Sequence, residues 1–406
     1  MPRLRRSLDP ASGSSRHTLL ILFLVVFLDL AGFGMILPLL PSYAKHFGGD
    51  AFQVGLLFAC YSLAQFIAAP LWGRLSDRIG RRPVLLISIV GSFVSYLIFA
   101  FARDLPTLFV ARSAAGAFAA NYGVAQAYLA DVSPPEQRAR RLGLLGAAFG
   151  LGFLFGPAMG GIFGEIGLMA VPLAAAGLAG LNALLAWFQL PESRRRTDRF
   201  SRAGGERRSL FAQLRSRPAL FEVFALFFLV MFAFAMMEAT LALFCEARFG
   251  FGVARTSWLF ALVGLVMVLV QGGLMRRLGG RVPERRLVQV GLVGMAVGLL
   301  LIPASFTVGA LATTVSLLAL GAGIHNPSVT ALLSRMTHEE SQGSALGASR
   351  SLSALARVLG PAWGGWAFHN LGISAPFDLA GAMLCVLALS TLWVFRRDPL
   401  ASAEAE

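Results

Sequence analysis

Twelve runs of apolar residues, each long enough to cross a bilayer and each closed by charge or turn residues, follow one another along this chain. They lie near 18–40, 52–72, 83–102, 105–130, 140–163 and 169–190, then near 219–243, 253–275, 287–306, 309–333, 344–367 and 374–395. About 20 residues, at about 1.5 Å of rise each, span the hydrocarbon layer. Inside it every backbone N–H and C=O needs a partner within the chain, so runs of this length become helices. Of the residues, 56% are hydrophobic and 14% charged, where soluble domains carry about 25% charged residues. The sequence predicts an all-α membrane protein of twelve transmembrane helices in two pseudo-symmetric six-helix bundles, 18–190 and 218–396. A basic linker at 191–217 joins them, with tails at 1–17 and 397–406.

The linker alone holds nine Arg, and most of the 35 Lys and Arg fall on its side of the membrane. By the positive-inside rule that side is cytoplasmic, as are both termini, in a multi-pass protein of the cell inner membrane. The net charge of +14 then reports topology and contact with anionic membrane lipids rather than nucleic acid. The start "MPRLRRSLDPASGSSRH" looks like the charged part of a signal peptide. The run behind it is too long and holds Asp29, Pro38 and Pro41, which predicts an uncleaved first span. Cys60, Cys245 and Cys385 sit in or beside different runs, so neither a disulfide nor a metal framework is expected. The histidines are scattered and there is no nucleotide-binding P-loop, which argues against an enzyme, a cofactor or direct ATP drive.

The two halves repeat. "GLGFLFGPAMGG" (Gly150–Gly161) is echoed by "ALARVLGPAWGG" (Ala354–Gly365), and "GRLSDRIGRRP" (Gly73–Pro83) more weakly by "GGLMRRLGGR" (Gly272–Arg281). Each half carries a basic turn between its second and third spans and a Gly-Pro-Gly-Gly element in its fifth. Two six-helix units related in this way suit a transporter with its substrate path between them.

"GRLSDRIGRRPVLL" resembles the signature turn of the major facilitator superfamily. "DLAGFGMILPLLP" (Asp29–Pro41), "ARSAAG" (Ala111–Gly116) and "GLGFLFGPAMGG" look like motifs of its twelve-helix drug:proton antiporters, the tetracycline and multidrug efflux pumps. The likeness is strong from about residue 20 to 190 and looser beyond. It implies a gating role for the turn, with Gly73, Asp77, Arg78, Gly80, Arg81 and Arg82 forming a latch. Asp77 would meet the start of the eleventh helix, near Ser344, while the cytoplasmic side is closed. A plain tight turn is the alternative. The likeness also implies that Gly152, Gly156, Pro157, Gly160 and Gly161 serve leak-free exchange, although small residues at every fourth position also serve ordinary close packing.

Charges within spans need a reason. Asp29 lies roughly 16 Å into the first span at about 1.5 Å per residue, and an ion there costs about 2.5–3.5 kcal/mol on insertion scales. Desolvation raises a carboxyl's proton affinity and an adjacent cation lowers it. A site alternating between such surroundings can load and release protons, which makes Asp29 the principal candidate for proton coupling. A carboxyl hydrogen-bonded for packing alone is the alternative. Arg112 occupies the family's position for a proton-linked Arg, with Asp29 or a fourth-helix carbonyl as its partner. Glu238 is the second carboxylate candidate. Arg350 and Arg357, seven apart, share a face of the eleventh span; they would form a positively charged cavity wall, or Arg350 would reach the cytoplasmic headgroups, and the sequence does not choose between these roles.

The family's architecture implies a cavity lined by spans one, four, seven and ten. Candidate substrate contacts are Asn121, Tyr122 and Gln126 in span four, Phe234 and Met236 in span seven, and His325 and Asn326 in span ten. Gln65 and Gln271 join them from spans two and eight. Amides and aromatics among flexible Met suit an amphiphilic, loosely specified ligand. Ser95 and Met295 stand where the tetracycline pumps have intramembrane acids, which argues against tetracycline itself. The expected function is proton-coupled export of small hydrophobic or amphiphilic compounds by alternating access, with small-molecule substrate and protons as partners, by a monomer. A sugar or metabolite exporter or a proton-coupled importer would share the fold; a non-transporting receptor or enzyme is the distant alternative.

Overall fold

The computed structural model describes residues 14–119, 121–193, 218–278, 280–337 and 342–397. Most of the linker, residues 1–13 of the first tail and the C-terminal tail from 398 lie outside them. Among the described residues there is no strand. The first half holds α1 (Ser14–Ile36, continued by a 3-10 turn Leu37–Leu39 and a helix Leu40–His46), α2 (Ala51–Ile79), α3 (Arg81–Ala100), α4 (Leu105–Phe118 and Asn121–Val132), α5 (Pro135–Ile166) and α6 (Ala170–Gln189). The second half holds α7 (Pro218–Phe249), α8 (Val253–Leu269, a π turn Val270–Leu274 and Met275–Leu278) and α9 (Glu284–Leu301). It ends with α10 (Val308–Met336), α11 (Gln342–Leu371) and α12 (Ala375–Arg397).

Among the described residues, nine of these helices are long and apolar enough to cross a membrane. The exceptions have physical reasons. α4 is interrupted after Phe118, α9 opens on Glu284-Arg285-Arg286, and α11 carries Arg350, Arg357 and several Ser. A helix can afford such polarity where it faces protein or an aqueous path instead of lipid.

Packing repeats between the halves. α1 lies along α5 and α6 as α7 lies along α11 and α12, and α3 packs on α4 and α6 as α9 packs on α10 and α12. The bundles meet through α2 on α11 and through α5 on α8, the same contact with the halves exchanged.

Ends are set locally. Asp50 begins α2 with a capping box: its carboxylate accepts from the Gln53 N–H at 2.8 Å, and the Gln53 side chain accepts from the Asp50 N–H at 3.0 Å. Asp104 and Thr307 cap α4 and α10 through the N–H groups of Thr107 and Ala310. Gly80, at φ 107°, turns the chain between α2 and α3 in a conformation that side chains resist. Exposed Trp187, Phe188, Phe221 and Trp393 stand at the linker end of the molecule, and Phe101 and Phe306 at the far end. Trp187 and Trp393, apolar rings with an N–H to offer water, suit a membrane interface.

Candidate functional site

The bundles touch at the far end and part at the linker end, and the glycines record it. A methyl on Gly55 of α2 would strike the Pro361 carbonyl of α11, and one on Gly365 would come within 2.5 Å of the Ala51 carbonyl. On the other side of the interface, a methyl on Gly264 of α8 would lie 2.7 Å from the Phe153 carbonyl of α5. Toward the linker end the same four helices carry glycines with open space around them: Gly73 in α2, Gly143 and Gly146 in α5, Gly272 and Gly273 in α8, and Gly347 in α11. Among the described residues, one ion pair and one histidine–carboxylate contact cross between the bundles at the far end. Lys45 Nζ lies 2.9 Å from Glu246 Oε2, and His369 Nδ1 3.9 Å from Asp50 Oδ2. Lys45 and Glu246 are 41% and 39% exposed, and such pairs contribute about 0–1 kcal/mol. Backbone-to-backbone packing at the glycines, not charge, therefore dominates the closure.

Where the halves meet, a cavity of about 60 Å³ is bounded by Phe149 and Phe153 of α5, Phe234 of α7, Gln271 of α8, Asn326 of α10 and Arg357 of α11. Three of the predicted substrate contacts, Phe234, Gln271 and Asn326, converge here, with Met231, Met267 and Met295 completing a soft apolar wall. Its lining draws on α5, α8 and α11 where α1 and α4 were expected. The volume is far below the about 300–1000 Å³ of a small-molecule site, so a ligand requires the bundles to separate further. A larger hollow of about 810 Å³ between α3 and α6 is lined by apolar residues such as Val90, Val94 and Leu184 on the outer surface. It suits lipid.

The other predicted contacts are placed differently. Tyr122 sets its ring edge-on to Phe149 at 6.1 Å, one layer behind the cavity. Gln126 accepts a 2.7 Å hydrogen bond from Arg350 across the open part of the interface. Met236, 1% exposed, fills the space over Gly360 and Gly364. His325 is buried against α9, with Nδ1 3.3 Å from the Val288 carbonyl. Gln65 donates to the Ala119 carbonyl at 3.0 Å. Together with Trp72 on Ala117 and Ser88 on Phe118, it satisfies carbonyls that the interruption of α4 leaves without helical partners. The side chain of Asn121 lies outside the described residues.

Arg112 is sealed in the first bundle, 2% exposed. Its guanidinium lies 4.3 Å over the Tyr61 ring and 6.0 Å from that of Phe33. Nε reaches the Leu57 carbonyl at 3.5 Å, and Nη2 is buried without a hydrogen bond. Asp29 is half-buried, one helical turn before Phe33, and acts electrostatically on Tyr61 and Tyr96, as Arg112 does. Those two tyrosines, overlooked in the sequence, thus connect the predicted pair. Their only signal there is a hydroxylated aromatic midway along an apolar run. Glu238 is also half-buried, its Oε1 lacks a hydrogen bond, and Arg357 and Arg112 are both within electrostatic range. The aromatic contacts Tyr61–Phe33 at 5.0 Å and Phe33–Phe153 at 6.4 Å run from this cluster to the cavity wall.

The basic turn is held inside its own bundle. Arg81 bonds Asp77 at 2.7 Å, Asp131 of α4 at 3.0 Å and the Ser76 hydroxyl at 2.6 Å. Glu192, just past α6, accepts from the Arg81 and Arg82 N–H groups at 2.9 and 3.2 Å. It caps α3 where the helix presents unsatisfied donors and a positive dipole end. Arg82 donates to the Trp187 carbonyl at 2.6 Å, while Arg78 is exposed and Gly73 has open space beside it. Asp131 and Glu192 are a second pair the sequence reading missed. Along α5, Gly152, Gly156 and Gly160 face α1, where methyls would lie 2.6 Å from Leu30 Cβ, 2.6 Å from the Ala31 carbonyl and 3.0 Å from the Met35 carbonyl. Pro157 packs against Gly34, and Gly161 turns to Ala254 and Trp258 of α8.

The model of the family described as Major Facilitator Superfamily matches residues 22–283 and 274–406. The chain belongs to that superfamily. It is 34% identical over 360 residues to the class C tetracycline resistance protein of Escherichia coli, covering 86% of this chain and 88% of the relative. It is 29% identical over 401 residues to multidrug resistance protein 2 of Bacillus subtilis (strain 168), covering 96% and 99%. Among solved structures, the human organic anion transporter MFSD10 (TETRAN) superposes with a TM-score of 0.70 at 26% identity, covering 93% of this chain and 99% of that one. The nucleoside transporter NupG, at a TM-score of 0.76 and 15% identity, shares the fold. This superfamily member is a multi-pass membrane transporter of small molecules and not an enzyme.

Proposed function

We propose that the chain is a proton-coupled exporter of small hydrophobic or amphiphilic compounds, working by alternating access in the cell inner membrane as a monomer. The basic linker and both termini lie in the cytoplasm, so the open end of the interface faces inward and the closed far end faces out. Compounds then enter from the cytoplasm, and rocking of the bundles carries them past the Gly55–Pro361 and Gly264–Phe153 contacts. What supports this most is that asymmetry: backbone packs on backbone at the far-end glycines, while glycines of the same four helices nearer the linker have clear space beside them.

Asp29 is the principal proton site and Glu238 the second, with Arg112 adjusting the charge each carboxyl experiences. Asp77 and its arginines are the cytoplasmic latch, disengaged in the inward-open form while Arg81 holds Asp77. The resistance proteins among the relatives favour drug efflux. Tetracycline is a poor fit, because the position of Ser95 holds a hydroxyl bonded to the Gly91 carbonyl at 2.7 Å and that of Met295 a thioether in the cavity wall. Neither attracts a chelated cation. Everted membrane vesicles given an inward-acid pH gradient test the reading. The wild type should accumulate an amphiphilic dye and Asp29→Asn should not; dye uptake that survives in Asp29→Asn, or needs no gradient, would overturn it.

A further inference from the structure

The cavity between the bundles carries an anion-recognition feature that export of amphiphiles does not itself require. Among the described residues, Arg357 has no ion pair: its Nε meets the Met231 sulfur at 3.5 Å, and the other donors of the planar fork are unused. Gln271 and Asn326 line the same small space. Neither side-chain amide takes part in a hydrogen bond among the described residues. One guanidinium and two amides thus converge in a wall that is otherwise Phe and Met. Two helical turns toward the linker end of α11, on the same face, Arg350 is exposed and, among the described residues, bonded only to the neutral Gln126 amide at 2.7 Å.

No carboxylate lines the cavity. Glu238 acts on Arg357 through space but does not bond it. Gln271 lies within the π turn Val270–Leu274 and lines the cavity, and such turns recur at functional sites. A guanidinium with no carboxylate hydrogen-bonded to it, half-buried beside two free amides, offers a two-pronged seat for a carboxylate, sulfonate or phosphate head. It repels a cation.

We infer that Arg357, with Gln271 and Asn326, is a binding subsite for the anionic head of a soluble amphiphile whose apolar body lies on Phe149, Phe153 and Phe234. Arg350 attracts the same head from the open end. The inference rests on the transport reading for its setting and names the charge of the substrate.

Fluorescein and rhodamine 6G share a xanthene ring system and differ in charge, which makes them suitable probes. Their binding to the full chain in phosphatidylcholine nanodiscs can be followed by fluorescence anisotropy. Fluorescein is expected to bind at least tenfold more tightly than rhodamine 6G. Arg357→Gln should weaken fluorescein at least tenfold while rhodamine 6G holds or improves, with Arg357→Lys falling between. Asn326→Leu, which keeps every charge, should weaken fluorescein severalfold and serves if the Arg357 variants do not fold. Tighter binding of rhodamine 6G by the wild type, or unchanged fluorescein affinity in Arg357→Gln or Asn326→Leu, would sink the proposal. So would loss of fluorescein binding in phosphatidylglycerol nanodiscs, which would give the seat to lipid heads. Gradient-driven uptake of rhodamine 6G by wild-type vesicles without fluorescein binding would leave the transport reading standing and refute this one. Fluorescein binding without gradient-driven transport of either dye would do the reverse.

Discussion

Arg112 sits where a charge is costly, and its contacts explain how it is tolerated. The Tyr61 face at 4.3 Å and the Phe33 ring at 6.0 Å replace part of its hydration, and a desolvated cation–π contact contributes about 2 kcal/mol or more. Tyr61→Phe keeps that face and should change thermal stability little, whereas Tyr61→Leu should lower it by about 2 kcal/mol, read from detergent-solubilised melting curves. If Tyr61→Phe costs as much as Tyr61→Leu, the hydroxyl and not the ring supports Arg112. Little of this was legible in the sequence. Arg112 and Asp29 could be singled out because ionisable residues in apolar runs are few, but Tyr61 and Tyr96 look like ordinary span residues until α1, α2, α3 and α4 are packed together. Conversely Gln65, Met236 and His325 carry the right chemistry for a ligand and spend it on helix contacts.

At the scale of the element, glycine spacing separates two kinds of contact. A methyl on Gly156 meets backbone of α1, 2.6 Å from the Ala31 carbonyl and 2.9 Å from Gly34 Cα, which cannot yield as a side chain end can. Gly156→Ala should therefore cost about 1–3 kcal/mol. Gly146→Ala meets nothing within 4 Å and should gain about 0.5–1 kcal/mol from helix propensity. Opposite signs in the melting temperature are the check. Asp104 shows the same local logic outside the membrane. Bonds from the Thr107 hydroxyl and N–H hold its carboxyl below the usual range. Its folded value is thus the depressed one, so its stabilising effect is full above the unfolded value of about 3.9 and is lost as pH falls through the folded value. Asp104→Ala should flatten the acid side of the stability profile by that component, measured as melting temperature against pH; an unchanged profile would mean the cap is dispensable. The glycine stripe was readable from spacing, whereas the caps at Asp50, Asp104 and Thr307 went unread. The interruption of α4 was not readable either, because it arises where Gln65, Trp72 and Ser88 of neighbouring helices supply partners for displaced carbonyls; nor was the π turn of α8.

For the whole molecule, alternating access predicts that the loose end must close. Gly143, Gly146, Gly272 and Gly273 have open space around them here, on the facing helices where such a closure would bring backbones together. Gly146→Leu should raise the melting temperature slightly, as Gly146→Ala does, and slow transport severalfold, measured as initial uptake in vesicles; normal uptake would show that α5 does not close there. A cleavable cross-link between Lys45→Cys and Glu246→Cys, in a chain whose three native cysteines are replaced, should abolish transport by holding the far end shut. Reductant should restore it. By itself the sequence determined the twelve helices, the twofold plan and the scarce intramembrane charges, because lipid admits few backbone forms and penalises every exposed ion. Only the tertiary structure decided which of those groups meet. A helix apolar on all sides carries no periodicity to fix its rotation, and that rotation, with its local breaks, turns Arg357, Gln271 and Asn326 into one cavity and His325 and Met236 out of it.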